Sequence, residues 1–192
     1  MSPIPQIQPQ TRLAQSTFRA LLQASAAPGV AVALPATATA DPLLALATTL
    51  VDDETTFAVH GPEAVTLTDR VRLRCGGRPS ELEQARFAFL TADDGGEALA
   101  RLPRGTLVAP SEGATAVYLL DEQDDSAAAP RATLSGPGIE APRELRLAGL
   151  GATTAEAILA TRAGYPRGVD VFLVAGGRQV TALPRSTRME VR

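Results

Sequence analysis

The stretch YPRGVDVFLVAGGRQVTALPRST, residues 165–187, predicts the central hairpin of the fold. Its apolar run over residues 169–175 is typical of a strand that is covered on both faces. Gly176 and Gly177 can both adopt the positive φ that a two-residue hairpin turn requires. Residues 180–183 are predicted to return beside the first strand, and Pro184 ends the pairing because it has no N–H to donate.

The segments before this hairpin alternate between helix and strand patterns, which favours one mixed α/β sheet flanked by helices. Residues 1–10 contain three prolines and are predicted to form an extended arm, with residues 11–192 as a single domain. Further strands are predicted at 30–34, 55–60, 71–75, 86–91, 116–120, 131–134 and 145–150. Short helices are predicted at 64–69 and 94–102, the second capped by Asp94.

Three longer helices are predicted from their spacing and their caps. Phe18, Leu21 and Leu22 share one face of a helix that starts near residue 11. Asp41 precedes Pro42 and is expected to cap a second helix. Residues 153–156, Thr-Thr-Ala-Glu, form a capping-box pattern for a third, which should bury Ile158 and Leu159 and end at Gly164.

Composition excludes several classes of protein. A chain of 192 residues can bury a core without disulfides, and its single cysteine, Cys75, can form no intrachain disulfide. The net charge of −3 argues against a nucleic-acid partner, and no apolar run of about 18 residues predicts a membrane span. The first residues lack a signal-peptide pattern, so a cytoplasmic location is expected.

All 18 basic residues are arginine, because the sequence contains no lysine. The chain therefore cannot form a Schiff base with pyridoxal phosphate, and we expect no cofactor of that kind. A phosphate-loop lysine and a catalytic lysine are excluded for the same reason.

Several polar segments and the single cysteine are candidate sites. The acidic run at residues 52–54 suits a metal or acid–base chemistry, but a solvated turn is favoured. Arg70, Arg72 and Arg74 alternate with apolar residues and could form an anion-binding row, although a wet strand face is favoured. Cys75 shows no activating neighbour and is expected to be a buried or incidental thiol. The acidic segment 121–125 is predicted to be a surface loop.

Familiar catalytic arrangements are missing from the sequence. His60 is the only histidine, no Gly-x-Ser-x-Gly motif occurs, and we expect no catalytic triad and no metal centre. Residues 162–192 carry six arginines, which suit phosphate, phosphonate or an acidic partner surface. The candidate substrate- or partner-binding residues lie at turns and strand ends: Gly136, Gly138, Arg167, Asp170 and Arg185.

An ordered set of short motifs resembles the PhnH family, the H subunits of the bacterial carbon–phosphorus (C–P) lyase system. The resemblance runs from about residue 15 to the end of the chain. It rests on Phe18-Arg19-x-Leu21-Leu22, Pro28-Gly29, Gly105-Thr106, Ala109-Pro110, Gly113-Ala114-Thr115, the segment 134–139 (Leu-Ser-Gly-Pro-Gly-Ile), Pro166-x-Gly168-Val169-Asp170 and the segment 182–187 (Ala-Leu-Pro-Arg-Ser-Thr).

This resemblance implies a fold similar to the large domain of pyridoxal-phosphate-dependent transferases, without the cofactor. It also implies a homodimer when isolated and a core complex with the C–P lyase subunits G, I and J. That complex makes α-D-ribose 1-methylphosphonate 5-triphosphate from ATP and a phosphonate. The H subunit is expected to be accessory and to carry no catalytic residue of its own.

Two alternatives remain open at the level of the sequence. One is an independent enzyme that acts on a phosphorylated metabolite through Arg167, Asp170 and Arg185. The other is a non-catalytic module that binds a phosphonate or a nucleotide. Turnover by the isolated chain would favour the first, and ligand binding without turnover the second.

Overall fold

The computed structural model describes residues 9–120 and 129–192. Its five α-helices are α1 (Pro9–Ala26), α2 (Pro42–Leu50), α3 (Ala64–Cys75), α4 (Glu97–Arg101) and α5 (Ala152–Thr161). Its strands are β1 (Val32–Ala33), β2 (Thr56–His60), β3 (Arg78–Pro79), β4 (Phe87–Leu90), β5 (Thr115–Leu120), β6 (Arg131–Gly136), β7 (Ile139–Arg146), β8 (Asp170–Ala175), β9 (Gln179–Leu183) and β10 (Arg188–Val191).

A seven-stranded mixed sheet forms the centre of the molecule, in the order β1-β9-β8-β5-β4-β2-β3. Strands β8, β5, β4, β2 and β3 run parallel, and β9 is antiparallel to both of its neighbours. The predicted mixed α/β sheet with flanking helices is therefore confirmed.

The inner strands are apolar throughout because both faces of the sheet are covered. Val117 and Val174 point to one face, where they join the core formed with α1, α2 and α3. Tyr118 follows Val117 and Leu173 precedes Val174, so both point to the other face, where they join a separate core beneath α5. The two cores explain why the strand is apolar at successive positions from Val171 to Ala175.

A second, three-stranded antiparallel sheet, in the order β10-β6-β7, lies on the same side as α4 and α5. Leu134 and Met189 face each other in its register and join the core beneath the large sheet. The sequence predicts only one sheet. β10 was not predicted, because Arg188–Val191 is an edge strand of only four residues, two of them charged.

The β8–β9 hairpin forms as predicted except at its turn. Gly176 and Gly177 both have positive φ, 52° and 64°, and the Arg178 N–H donates to the carbonyl oxygen of Ala175 at 3.0 Å. Pairing resumes at Ala175 opposite Gln179, so the loop has three residues rather than the predicted two. The glycine pair closes the turn, and Arg178 is added to the loop.

The predicted strand at residues 71–75 is wrong, because α3 continues through Cys75. Five residues of alternation cannot distinguish a strand from a helix that buries one side chain per turn, and arginine and leucine are good helix formers. Val71 is buried, whereas Leu73 is 81% exposed. The three arginines thus do not form a row: Arg70 pairs with Asp41, and Arg72 contacts Asp69 at 3.2 Å.

The predicted strand at residues 145–150 is misplaced. β6 and β7 form a hairpin around residues 136–139, and β7 ends at Arg146. Leu147 and Leu150 are buried in a turn that leads to α5, which explains why their apolar pattern resembled a strand.

The capping box predicted at residues 153–156 is not present. α5 begins at Ala152 with Gly151 as its N-cap, so Thr153 lies inside the first turn. Asp93, from the loop after β4, performs the capping instead: it accepts hydrogen bonds from the Gly151 N–H at 2.6 Å and from the Thr154 hydroxyl. The helix ends at Thr161, before Gly164, and Leu159 is 37% exposed rather than buried.

Two other helices begin close to their predicted positions. Asp41 caps α2 by accepting from the Leu44 N–H at 3.1 Å, as expected. Asp94 accepts from the Ala98 N–H at 2.7 Å and so caps α4. α1 begins at Pro9, inside the segment predicted to be an arm; residues 1–8 lie outside the described residues, and the domain division stays a prediction.

Candidate functional site

Asp170 and Arg185 form the most extensive polar arrangement at the predicted candidate residues. The Asp170 carboxylate accepts from the Arg185 backbone N–H at 2.7 Å, from Nε at 3.0 Å and from Nη2 at 2.5 Å. Asp170 begins β8, and Arg185 follows Pro184 at the end of β9, so the hairpin itself brings them together. We call this pair the Asp170–Arg185 clamp.

The clamp also holds the loop that precedes β5. Arg185 Nη1 donates to the carbonyl oxygen of Pro110 at 2.6 Å, and Nη2 donates to that of Gly113 at 3.4 Å. The Arg185 side chain is only 15% exposed. Because its donors are already directed at protein oxygens, the primary role of Arg185 is to tie together three segments of chain.

Two cavities adjoin the clamp on either side of the turn between β6 and β7. The smaller, of about 470 Å³, is lined by Gly138 and Asp170 together with the end of α1. The larger, of about 830 Å³, is lined by Gly136 and Arg185 and opens beneath α5. Four of the five predicted site residues therefore line two neighbouring cavities.

Arg167, the fifth candidate, lines neither of these cavities. It lies exposed beside Gly164, and its backbone N–H donates to the Gly164 carbonyl oxygen at 3.0 Å. The Tyr165–Pro166 peptide bond between them is cis. Arg167 therefore shapes the turn before β8 and is not brought together with Asp170 and Arg185.

The larger cavity, which we call the α5 groove, contains a functional candidate that the sequence did not reveal. Arg162 follows α5 directly and is only 7% exposed. Its Nη2 donates to the Leu183 carbonyl oxygen at 3.3 Å, and its Nη1 contacts the Met189 sulfur at 3.9 Å. Burial lowers the pKa of Arg162 to about 10, against a smaller opposite effect from Asp170.

A signal for Arg162 was present in the sequence. The residue lies four positions after Ile158, which α5 buries completely, so it continues the apolar face of that helix. An arginine in such a position must be buried, paired or directed into a cavity. The prediction that α5 reaches Gly164 obscured this, because it placed Arg162 within an ordinary helix end.

The carboxyl ends of the parallel strands carry a second polar group. His60, at the end of β2, lies 3.2 Å from Asp94 between Nε2 and Oδ2. The Tyr118 hydroxyl is buried without a partner among the described residues. Burial, reinforced by the charges of Asp94 and Asp93, raises the pKa of Tyr118 above its ordinary value. The contact between His60 and Asp94 links the loop after β4 to the end of β2.

The other polar clusters remain structural. Asp52 accepts from the Thr55 hydroxyl, the main cause of its lowered pKa, and from the Glu54 N–H at 3.2 Å, and these bonds form the expected solvated turn. Burial raises the pKa of the Cys75 thiol. Across residues 9–120 and 129–192, no group of three or more His, Cys, Asp or Glu residues is arranged to hold a metal ion. The acidic segment 121–125 lies outside the described residues.

No helix within the described parts of the chain is both long and apolar enough to cross a membrane.

Comparison with known protein families identifies the family of this chain. Residues 5–190 match the family described as bacterial phosphonate metabolism protein (PhnH). The chain is also 34% identical over 179 residues to a protein of Stutzerimonas stutzeri whose name describes it as a C-P lyase subunit protein, HtxG; the alignment covers 93% of this chain and 86% of that protein. The chain therefore belongs to the PhnH family of bacterial phosphonate metabolism proteins.

Proposed function

We propose that this chain is an accessory subunit of a C–P lyase core complex and that its partners are the G, I and J subunits. In this role the chain is needed for the complex to make α-D-ribose 1-methylphosphonate 5-triphosphate from ATP and a phosphonate. The family match and the related protein named as a C-P lyase subunit support the role in phosphonate metabolism. The finer assignment to these partners and this product is our inference.

The observation that carries this proposal is the amount of apolar side chain on the surface. Val65, Leu73, Leu107 and Val108 are 80%, 81%, 70% and 96% exposed. Adjacent large apolar side chains on a surface, as at Leu107 and Val108, are typical of proteins that bind other chains. Leu107 and Val108 are adjacent in the loop that the Asp170–Arg185 clamp holds from its far end, so this apolar loop is kept in place before any partner binds.

The clamp itself favours a supporting role over an independent active site. An enzyme that used Asp170 as a base or nucleophile would leave its carboxylate open to the substrate. Here the carboxylate accepts three hydrogen bonds from Arg185. An independent enzyme would have to break this arrangement to use either residue.

We further propose that the seven-stranded sheet corresponds to the large domain of pyridoxal-phosphate-dependent transferases. A mostly parallel sheet with one antiparallel strand and helices on both faces supports this relationship. The absence of lysine supports a chain that does not bind the cofactor as a Schiff base. A cytoplasmic location and a homodimeric isolated chain stay predictions.

Co-expression with tagged G, I and J subunits tests the proposal. We expect this chain to copurify with them in a fixed ratio and the complex without it to form no ribose 1-methylphosphonate 5-triphosphate. Sedimentation of the isolated chain measures whether it is a dimer. A chain that fails to copurify, or a complex that makes the product without it, would contradict the proposal. Turnover by the isolated chain, abolished in Asp170→Asn, would favour the independent enzyme.

A further inference from the structure

The α5 groove combines apolar walls with a buried cation. Leu159, Ala163 and Tyr165 form part of its wall, and Leu159 and Tyr165 are 37% and 65% exposed. Arg162, which is 7% exposed, lines the same space. A volume of about 830 Å³ lies within the range of about 300–1,000 Å³ that small-molecule sites occupy.

Arg162 has no counter-ion among the residues that the structure describes. The nearest acidic influence on it is Asp170, which is already bound by Arg185. A guanidinium has five N–H donors, yet the protein offers Arg162 one carbonyl oxygen and one thioether sulfur, which is a weak acceptor. Its Nε has no hydrogen-bond partner within residues 9–120 and 129–192. A buried charge in this condition is costly unless a ligand completes it.

Thr187 repeats the same pattern in the same groove. It is 1% exposed, and its hydroxyl has no hydrogen-bond partner among the described residues. A hydroxyl and an arginine are both donors that an oxyanion accepts from. Arg188 also lines the groove and, with Arg162, outnumbers the carboxylate of Glu156.

We propose that the α5 groove is a binding site for a small molecule that carries an oxyanion, a carboxylate or a phosphonate or phosphate group, on an apolar part. The oxyanion accepts hydrogen bonds from the Arg162 guanidinium and the Thr187 hydroxyl after a small adjustment of their side chains. The apolar part lies against Leu159 and Tyr165. None of the residues that line the groove is among the exposed apolar residues on which the proposed function rests, so the isolated full-length chain can test this site by itself.

The direct test is an NMR titration that follows the Arg162 Nε–H signal. Phenylphosphonate and benzoate serve as probes, and benzyl alcohol is the neutral control of similar shape. We expect both anions to shift the Arg162 signal with saturation at millimolar concentration or below, and the alcohol to leave it in place. An Arg162 signal that neither anion moves would overturn the proposal. A larger response to one anion identifies which oxyanion geometry the groove prefers.

Two variants separate binding from stability. Arg162→Met should weaken the binding of the anions by about tenfold to a hundredfold, because a charge-assisted hydrogen bond is worth about 1.5–3 kcal/mol. Its melting temperature without ligand should be equal or higher, because an unpaired buried charge is removed. Arg167→Met is the matched control, since Arg167 is exposed and outside the groove, and it should bind normally.

Thr187→Val removes only the unpartnered hydroxyl. It should also weaken anion binding without lowering the melting temperature, because this hydroxyl makes no hydrogen bond in the free chain. Unchanged anion affinity in both Arg162→Met and Thr187→Val would overturn the proposal. A lower melting temperature in both would assign these residues a structural role and would equally count against it.

Discussion

At the residue scale, the Asp170–Arg185 clamp shows how a residue type can be identified correctly and its role misjudged. The sequence singles out both residues because charged side chains at the mouth of a hairpin resemble a site. The structure brings them together but directs them at each other and at the carbonyl oxygens of Pro110 and Gly113. One of the acceptors of Arg185 is Pro110, which lies 75 residues earlier in the chain. The sequence pattern around Arg185 cannot predict a contact with so distant a residue.

Asp170→Asn should therefore act on stability before it acts on chemistry. The amide cannot accept all three hydrogen bonds and leaves the charge of Arg185, whose side chain is 15% exposed, without its counter-ion. We expect the free energy of unfolding to fall by about 1–3 kcal/mol in a urea titration. Asp69→Asn is the matched control, because its pair with Arg72 is exposed and should contribute less than about 0.5 kcal/mol.

A variant Asp170→Asn as stable as the parent chain would show that the clamp does not hold the loop before β5. Loss of partner binding without any loss of stability would also be informative. That result would show that Asp170 contacts another subunit directly and does not act by supporting the apolar loop.

At the element scale, α5 separates what local pattern can predict from what it cannot. The helix itself was predicted from the capping-box pattern at residues 153–156 and the stop at Gly164, and Ile158 is buried as expected. Its N-terminal cap was not, because the acceptor comes from Asp93, 58 residues before Gly151. The same limit applies to β10 and to the extension of α3. In both segments a few residues fit a helix or a strand equally well, and tertiary packing decides which one forms.

Asp93→Ala should destabilise the chain by about 1–2 kcal/mol, the usual value of an N-terminal cap. The alanine removes the acceptor for both the Gly151 N–H and the Thr154 hydroxyl. Thr153→Ala, at the residue that the sequence pattern predicts as the cap, should change the free energy of unfolding by less than about 0.5 kcal/mol. Chemical denaturation of both variants measures the difference. A larger loss of stability in Thr153→Ala than in Asp93→Ala would show that Thr153, as the capping-box pattern predicts, caps the helix.

At the scale of the whole molecule, α1 connects the fold to its surface. Leu21 and Ala24 attach the helix to the core beside β9, whereas Phe18 and Leu22, predicted on the same buried face, are 47% and 54% exposed. The predicted face is wider than the face that the sheet covers. The remaining apolar surface lies on the outside of a helix whose last residues also line the smaller cavity, and it is a second candidate contact for another chain.

The double variant Phe18→Ser, Leu22→Ser tests whether this outer face of α1 is a subunit contact. We expect its affinity for the copurified G, I and J subunits, or for a second copy of itself, to fall at least about tenfold, because apolar anchors dominate the energy of interfaces. The free energy of unfolding should change by less than about 1 kcal/mol, since neither side chain belongs to the buried core. Gln15→Ser, Gln23→Ser alters two exposed polar positions of the same helix and should leave both measurements unchanged. Normal assembly of the serine variant would contradict the assignment, because α1 would then lie outside the interface. A loss of stability as large as the loss of affinity would also contradict it, because Phe18 and Leu22 would then support the fold of the single chain.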